Sequence, residues 1–388
     1  MPAHDTSARD DLRTSEAPVA AARSSAAFFS AQSVTHEREG RLCDGAVDAL
    51  KTANLFGLMT PRELGGLEAS PRETLETFAE VSRADGSTGW VLTTCAFAAG
   101  LAGVYLSDHA VSRIFSRGVP IVAGAGAPNG RAQKQPHGFE LSGRWSYGSG
   151  IRHASYTHNG GFIVDERGEL RKDLGHHIFV TPIDAATLDD EWNVIGLRGT
   201  GSVDYAIDRC QLPQGFEHPT SGAVQRRGGP LYAIGMAGMS AIAHTGFFLG
   251  IGRRVLDELV DVACVKPGGR SGALADSESF QEGYGLAEAQ YRAARALVFE
   301  SWRTIEERVA ADRQVERAHI TAVHLAMYQM AWASTAAGEY AYKAAGGVSL
   351  REGPLQRAFR DVLAGRQHIR VSTSVLRACA RDLLTKSA

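Results

Sequence analysis

Hydrophobic positions change their spacing twice along the chain, and the changes divide it into three parts. From about residue 36 to 118 apolar residues recur at helical intervals. Ser70-Pro71-Arg72-Glu73 joins a cap residue, a proline suited to the first helical position and a glutamate placed to complete a capping box, after which Leu75, Phe78 and Val81 follow along one face. Asp85-Gly86-Ser87 breaks that helix and can cap another, which carries Trp90, Val91, Leu92 and Phe97 and then a small-residue stretch, Ala98 to Gly103, that permits close helix contact. Residues 1 to about 30, rich in Ala, Ser, Thr and Asp, read as a ragged lead-in or the start of a first helix.

Between about 120 and 225 the period shortens. Val203, Tyr205 and Ile207 alternate with Asp204, Ala206 and Asp208, and runs such as Gly161-Phe162-Ile163-Val164 and His177-Ile178-Phe179-Val180 sit between glycines and prolines. This is the pattern of an antiparallel sheet module. Beyond Gly229-Pro230 long helical patterns return over about 232–263, 276–310, 316–343 and 355–384, the signature of a four-helix bundle. The expected architecture is α+β, mainly α: an N-terminal helical domain over 1–119, a central antiparallel β domain over 120–228 and a C-terminal bundle over 229–388.

Length and charge narrow the class. A chain of 388 residues can bury large cores, and 41 basic against 43 acidic side chains offer no global attraction to nucleic acid or to an anionic membrane. The apolar runs read as interrupted and too short to span a bilayer, and the acidic first dozen residues do not read as a secretion signal. Cys43, Cys95, Cys210, Cys264 and Cys379 are scattered, which fits reduced cytoplasmic thiols better than a disulfide framework. No histidine spacing suggests a metal site; His153 and His158 do not share a strand face, and Cys95 reads as core.

Candidate chemistry sits in three places. Trp145-Ser146-Tyr147-Gly148-Ser149-Gly150 offers aromatics to wall a planar ligand, hydroxyls to bond it and glycines that leave peptide groups accessible. A turn with interior aromatics would have the same composition. Leu197-Arg198-Gly199-Thr200-Gly201-Ser202 is a glycine-flanked polar turn without the spacing or lysine of a phosphate loop, and a plain hairpin is its other reading. In the terminal helix, Asp361 and His368 are spaced to lie nearly above one another, with Gly365 between them inviting a close approach by a ligand or a helix. His368 can act as an acid, a base or a neutral donor, or be an interhelical residue; Arg357, Arg360, Arg366 and Arg370 can bind anions or form a solvated face.

Four segments appear in a telling order: Ala84-Asp85-Gly86-Ser87-Thr88-Gly89-Trp90; Ser142 through Gly150; Trp192 through Ser202; and Pro354 through Asp361, followed by His368. Together they resemble the two-component (group D) flavin monooxygenases built on the acyl-CoA dehydrogenase fold. The resemblance implies a homotetramer that uses O2 and diffusible reduced flavin, FMNH2 or FADH2, from a separate NAD(P)H-dependent flavin reductase, to oxygenate a small aromatic or heteroaromatic substrate through a C4a-hydroperoxyflavin. By that likeness His368 and Ser149 are catalytic. Trp145, Ser146, Tyr147, Ser149, Thr200 and Ser202 contact the cofactor, joined by Arg270, Phe280 and Gln281 of a neighbouring subunit. Trp90, Phe97, Tyr156 and Trp192 would wall the substrate, a role that ordinary core aromatics would also fit.

Two other readings stay open. A dehydrogenase or oxidase of the same fold would require a carboxylate base, which the sequence does not identify. A helical scaffold that keeps the shape without catalysis would bind no reduced flavin.

Overall fold

Helices α1 (Ala17–Glu39), α2 (Asp44–Thr52), α3 (Pro71–Ala84), α4 (Gly86–Tyr105) and α5 (Asp108–Ile114) open the fold in a computed structural model that describes residues 17–268 and 272–385. The reciprocal cap at Ser70 forms: Glu73 N–H donates to Ser70 Oγ at 3.2 Å and Ser70 N–H donates to the Glu73 carboxylate at 2.9 Å. Asp85 then ends α3 and starts α4, its carboxylate accepting the Thr88 N–H at 2.9 Å and the Thr88 hydroxyl at 2.6 Å. One residue at the junction therefore fixes the direction in which α4 departs.

The sheet has the order β5-β6-β2-β1-β3-β4-β7. Its strands are β1 (Val122–Gln135), β2 (Gly138–Trp145), β3 (Tyr156–Val164), β4 (His176–Pro182), β5 (Ala186–Leu188), β6 (Tyr205–Pro213) and β7 (Glu217–Pro219). It is mixed, which corrects the antiparallel expectation: β1 pairs antiparallel with β2 but parallel with β3. The reason is topological. A hairpin lays β2 along one edge of β1, and residues 146–155 then cross the end of β1, so β3 runs along the other edge in the direction of β1. That crossing carries Ser149 to the surface of α4.

Helices α6 (Gly235–Val265), α7 (Glu278–Ala310), α8 (Arg317–Ala345), α9 (Pro354–Arg366) and α10 (Thr373–Leu384) complete the chain. The single terminal helix expected over 355–384 is two helices. His368 is extended (φ −65°, ψ 136°), and a short 3-10 turn, Ile369–Val371, precedes α10. Asp361 and His368 consequently do not share a helix face. The break is stabilised locally, because the His368 ring nitrogen Nδ1 accepts the backbone N–H of Arg370.

Two stretches, Gly86–Tyr105 and Pro230–Val265, are apolar and long enough to cross a bilayer, which corrects the expectation that no run reaches that length. They are enclosed within the protein, with 89% and 83% of their apolar windows buried. Small residues make this possible. A side chain at Gly250 of α6 would place its Cβ 2.2 Å from the carbonyl oxygen of Ala79 and 2.6 Å from Ser82 Cβ on α3. Backbone cannot yield there as a flexible side chain could, so Gly250→Val should destabilise the fold by about 1–3 kcal/mol or more. A lower urea midpoint at unchanged slope checks this, and an unaltered midpoint contradicts the close approach of α3 and α6.

Candidate functional site

The start of α4 organises the site. His36 on α1 is buried and bonds Asp85 through Nδ1 at 3.1 Å. Burial alone would raise the Asp85 pKa, but the His36 bond and charge, with the Thr88 bonds, outweigh it and hold the carboxyl below its ordinary value. Two residues further, Ser87 Oγ accepts the Gly199 N–H at 3.1 Å, which ties the 197–202 turn to α4. Two residues in that turn, Leu197 and Gly201, take left-handed backbone with φ +54°.

Trp90 aims its indole at the crossing segment. Its Nε1–H donates to Ser149 Oγ at 3.0 Å; Ser149 Oγ lies 2.7 Å from Ser202 Oγ, which lies 2.6 Å from Thr200 Oγ1, and Thr200 Oγ1 donates to the Leu197 carbonyl at 2.7 Å. The ends of this chain set its direction. The indole can only donate and the carbonyl can only accept, so each hydroxyl proton points from Ser149 through Ser202 and Thr200 toward Leu197. Ser149 has lone-pair capacity to spare but no free proton. Gly150, at φ +75°, lets this turn lie against α4, where a Cβ would stand 2.8 Å from Val91 and 3.0 Å from Cys95 Sγ. Burial pushes the Cys95 thiol up to about 12, so it is packing and not a nucleophile.

His368 approaches Trp90 from the bundle. Its ring stands edge-on to the indole at 5.6 Å and is stacked on His244 of α6 at 4.2 Å, while Phe247 closes on Trp90 at 4.8 Å. Because His368 Nδ1 accepts the Arg370 N–H at 3.3 Å, the neutral ring carries its proton on Nε2. Burial, then the Arg370 charge, lowers the His368 pKa to about 4, so it is neutral through the physiological range. Gly365 is explained by helix approach: a Cβ there would meet the Phe247 ring at 2.5 Å.

Other sequence candidates separate. Trp145 is fully buried, donates to the Gly160 carbonyl at 2.8 Å and stacks on Tyr205 at 5.4 Å, so it is a sheet-core residue and not a ligand-facing wall. Ser146 donates to Asp204 at 2.9 Å. Tyr147 is 68% exposed and meets Trp192 edge to face at 6.1 Å, at the rim of a surface cleft of about 670 Å³. Trp192 also donates to the Leu197 carbonyl at 3.4 Å, linking that cleft to the hydroxyl chain. Phe97 is half-buried beside His158, and Tyr156 packs with Ala98, Ala99 and Val122. Phe280 stacks on Tyr284, and Gln281 donates to the Ala275 carbonyl at 2.9 Å, both apart from Trp90 and His368 in this chain. Arg270 lies outside the described residues.

Sequence reasoning missed His244 and Phe247. The available signal was His244 itself, the one ionisable side chain in the Met239–Gly246 stretch. Its Nδ1 lies 2.7 Å from the Ser240 carbonyl, and its Nε2 is buried with no hydrogen-bond partner among the described residues. An orphaned buried nitrogen costs about 1–3 kcal/mol, so its presence in a helix otherwise built for packing is informative.

The family described as acyl-CoA dehydrogenase, C-terminal domain, matches residues 242–373, a span that includes His244, Phe247 and His368. A pigment production hydroxylase of Rhodococcus erythropolis is 28% identical over 371 residues, covering 91% of this chain and 93% of the relative. An indole-3-acetate monooxygenase of Pseudomonas putida is also 28% identical, covering 86% and 84%. Among solved structures, XiaF from a Streptomyces species in complex with FADH2 and glycerol superposes with a TM-score of 0.86 at 22% identity, covering 99% of this chain and 100% of XiaF. The 3-HSA hydroxylase of Rhodococcus sp. RHA1 gives 0.85 at 21% identity, covering 96% and 98%. The fold is that of the acyl-CoA dehydrogenases. Over most of its length the chain is similar in sequence to hydroxylases and monooxygenases of that fold.

Asp361 supplies a test of how the site is held. Burial raises its pKa from 3.8 to about 7, against the bond from Leu197 N–H, which lowers it. A carboxyl raised in the folded state stays protonated while the unfolded one ionises, so its contribution to stability falls as pH rises from 3.8 to about 7. Asp361→Asn removes that loss and keeps an acceptor oxygen. The Tm of the variant relative to wild type should therefore rise over this interval, and a difference independent of pH would contradict the assignment.

Proposed function

We propose that this chain is the oxygenase component of a two-component system, a monooxygenase that uses reduced flavin and O2 to hydroxylate or otherwise oxygenate a small aromatic or heteroaromatic molecule. The observation that carries the reading is the neutral Nε2–H of His368 held against Trp90, whose indole anchors the Ser149 hydroxyl chain. The named relatives act as a hydroxylase and as a monooxygenase, and the XiaF structure holds FADH2.

The residues present fit a flavin. Ser149 offers a free lone pair to a ring N–H, and the 197–202 turn offers backbone groups. Ser149, Thr200 and Ser202 would hold the ring system and its side chain, with Ser146 and Tyr147 at the outer edge. When bound, reduced flavin supplies the electrons that divide O2 between the substrate and water. His368 donates a hydrogen bond from Nε2 toward the substrate and holds its proton there without becoming a cation. Trp90, Phe247 and Phe97 keep water from the reacting atoms. Trp192 and Tyr147 stand at the entrance, and Tyr156 supports the α4 wall from β3.

The reduced cofactor would come as FMNH2 or FADH2 from a separate NAD(P)H-dependent reductase in the cytoplasm. A homotetramer is supported by the apolar side chains that the bundle leaves exposed, among them Leu286, Leu297, Trp332, Leu350 and Leu383. In that assembly the Arg270, Phe280 and Gln281 region of one protomer would reach the cofactor of its partner.

Turnover with a flavin reductase, NADH and isotopically labelled O2 against a panel of arenes tests the conclusion. The product should gain one labelled oxygen atom, seen by mass spectrometry. Reduction of the bound oxidised flavin by an acyl-CoA, without label uptake, would replace oxygenation with dehydrogenation. His368→Ala should lower product formation by roughly 100-fold while preserving Tm and flavin affinity. Unchanged coupled turnover would remove His368 from the catalytic set.

A further inference from the structure

His244 has no part in the reaction as described above, yet its chemistry complements that of His368. The Nδ1–H of His244 is committed to the Ser240 carbonyl at 2.7 Å, which leaves Nε2 as a bare lone pair. The residue is 5% exposed, and that nitrogen has no partner among the described residues. His368 is the opposite tautomer, with Nδ1 filled by the Arg370 N–H and Nε2 left as a donor. The two rings stack at 4.2 Å with 25° between their planes, and Trp90 meets both edge-on, at 5.9 Å and 5.6 Å. A ring with a free donor is therefore stacked on a ring with a free acceptor, beside Trp90.

Building on the oxygenase reading, we propose that His244 is a further substrate-positioning residue, accepting a hydrogen bond from a hydroxyl on the aromatic ring while His368 donates one to the same oxygen. A hydroxyl both gives and takes a hydrogen bond. An ether or thioether can only take one, and an indole N–H can only give one. The pair thus selects hydroxylated arenes from heteroarenes of similar size, in the way a buried polar group rejects a ligand that leaves it unpaired. Burial, and then the neighbouring His368, lowers the His244 pKa well below its ordinary value, so its lone pair stays available through the physiological range. A purely structural His244, propping the His368 ring by stacking, would not distinguish a hydroxyl from its methyl ether.

Calorimetric titration of the wild-type protein with β-naphthol and with its methyl ether separates the two, first without flavin and then with saturating oxidised FMN. β-Naphthol should bind more tightly by roughly tenfold or more. His244→Phe should erase the preference by weakening β-naphthol alone, and His244→Gln, which restores an acceptor oxygen, should recover part of it. Equal affinities in wild type, binding of neither probe in either form, or a preference that survives His244→Phe overturns the proposal. The wild-type comparison stands even if a variant misfolds. Label uptake from O2 with no naphthol preference would reject the histidine pair and leave the oxygenase reading intact; a preference without label uptake would do the reverse.

Discussion

Asp361 accepts the N–H of Leu197 at 2.6 Å, and the three parts of the chain close around that bond. Leu197 opens the turn that carries Thr200 and Ser202, and Asp361 lies on α9 of the bundle. The N-terminal helices press in from the third side: a Cβ at Gly86, in the first turn of α4, would lie 2.6 Å from Asp361 Oδ2. A Cβ at Gly196 would lie 2.1 Å from the Arg360 carbonyl oxygen. Glu37 of α1 adds paired contacts to Arg357 at 3.0 Å and Arg360 at 2.8 Å just outside. Those ion pairs are worth little as net stability once their desolvation is counted. Their effect is to fix where α9 stands, and through Asp361 that fixes the hydroxyl turn.

The hydroxyl chain gains its meaning from this anchoring. Leu197 is held through its N–H by Asp361, and its carbonyl is the acceptor on which the chain from Trp90 ends. A movable carbonyl would let the three hydroxyls reorient freely, whereas a fixed one polarises them in a single direction. Ser149 therefore meets a ligand as an acceptor. For it to donate, Ser202 must turn away, and Thr200 with it. This changes the role the motif suggests, since a serine at a strand end reads most simply as a donor.

The fold was largely legible because its signals are local. Capping at Ser70, period-two alternation near Tyr205 and the long bundle patterns each depend on neighbours within a few residues. The parallel β1–β3 pairing was not, because it follows from where residues 146–155 cross, which no strand's own pattern records. The break at His368 was hidden for a related reason: its residues are acceptable in a helix, and only the ring's bond to the Arg370 backbone shows why they leave it. Ser149, Thr200, Ser202, Trp90 and His368 are brought together as the motif order implied. Trp145 is not part of that group, because an aromatic in a motif has the same letter whether it faces a ligand or a sheet core. His244 was missed because motif reasoning attends to glycine-rich and polar turns, and this residue sits in the least polar helix of the bundle.

Charge gives the site its character. Arg370 is half-buried beside His368, and desolvation lowers its own pKa while its positive charge opposes protonation of the imidazole. The same residue contributes the backbone N–H that fills His368 Nδ1. One position two residues along the chain thus controls both the charge of the ring and the placement of its proton. The two effects are distinct: the nearby charge disfavours the imidazolium without choosing a tautomer, and the backbone N–H at Nδ1 places the neutral ring's proton on Nε2. Acting together they leave His368 a neutral donor stacked on a neutral acceptor, His244, with Trp90 edge-on to both. On the proposed reading, such a wall would recognise an uncharged, flat, hydroxyl-bearing molecule by direction of hydrogen bonding instead of by attraction between ions, without drawing water toward the oxygen chemistry.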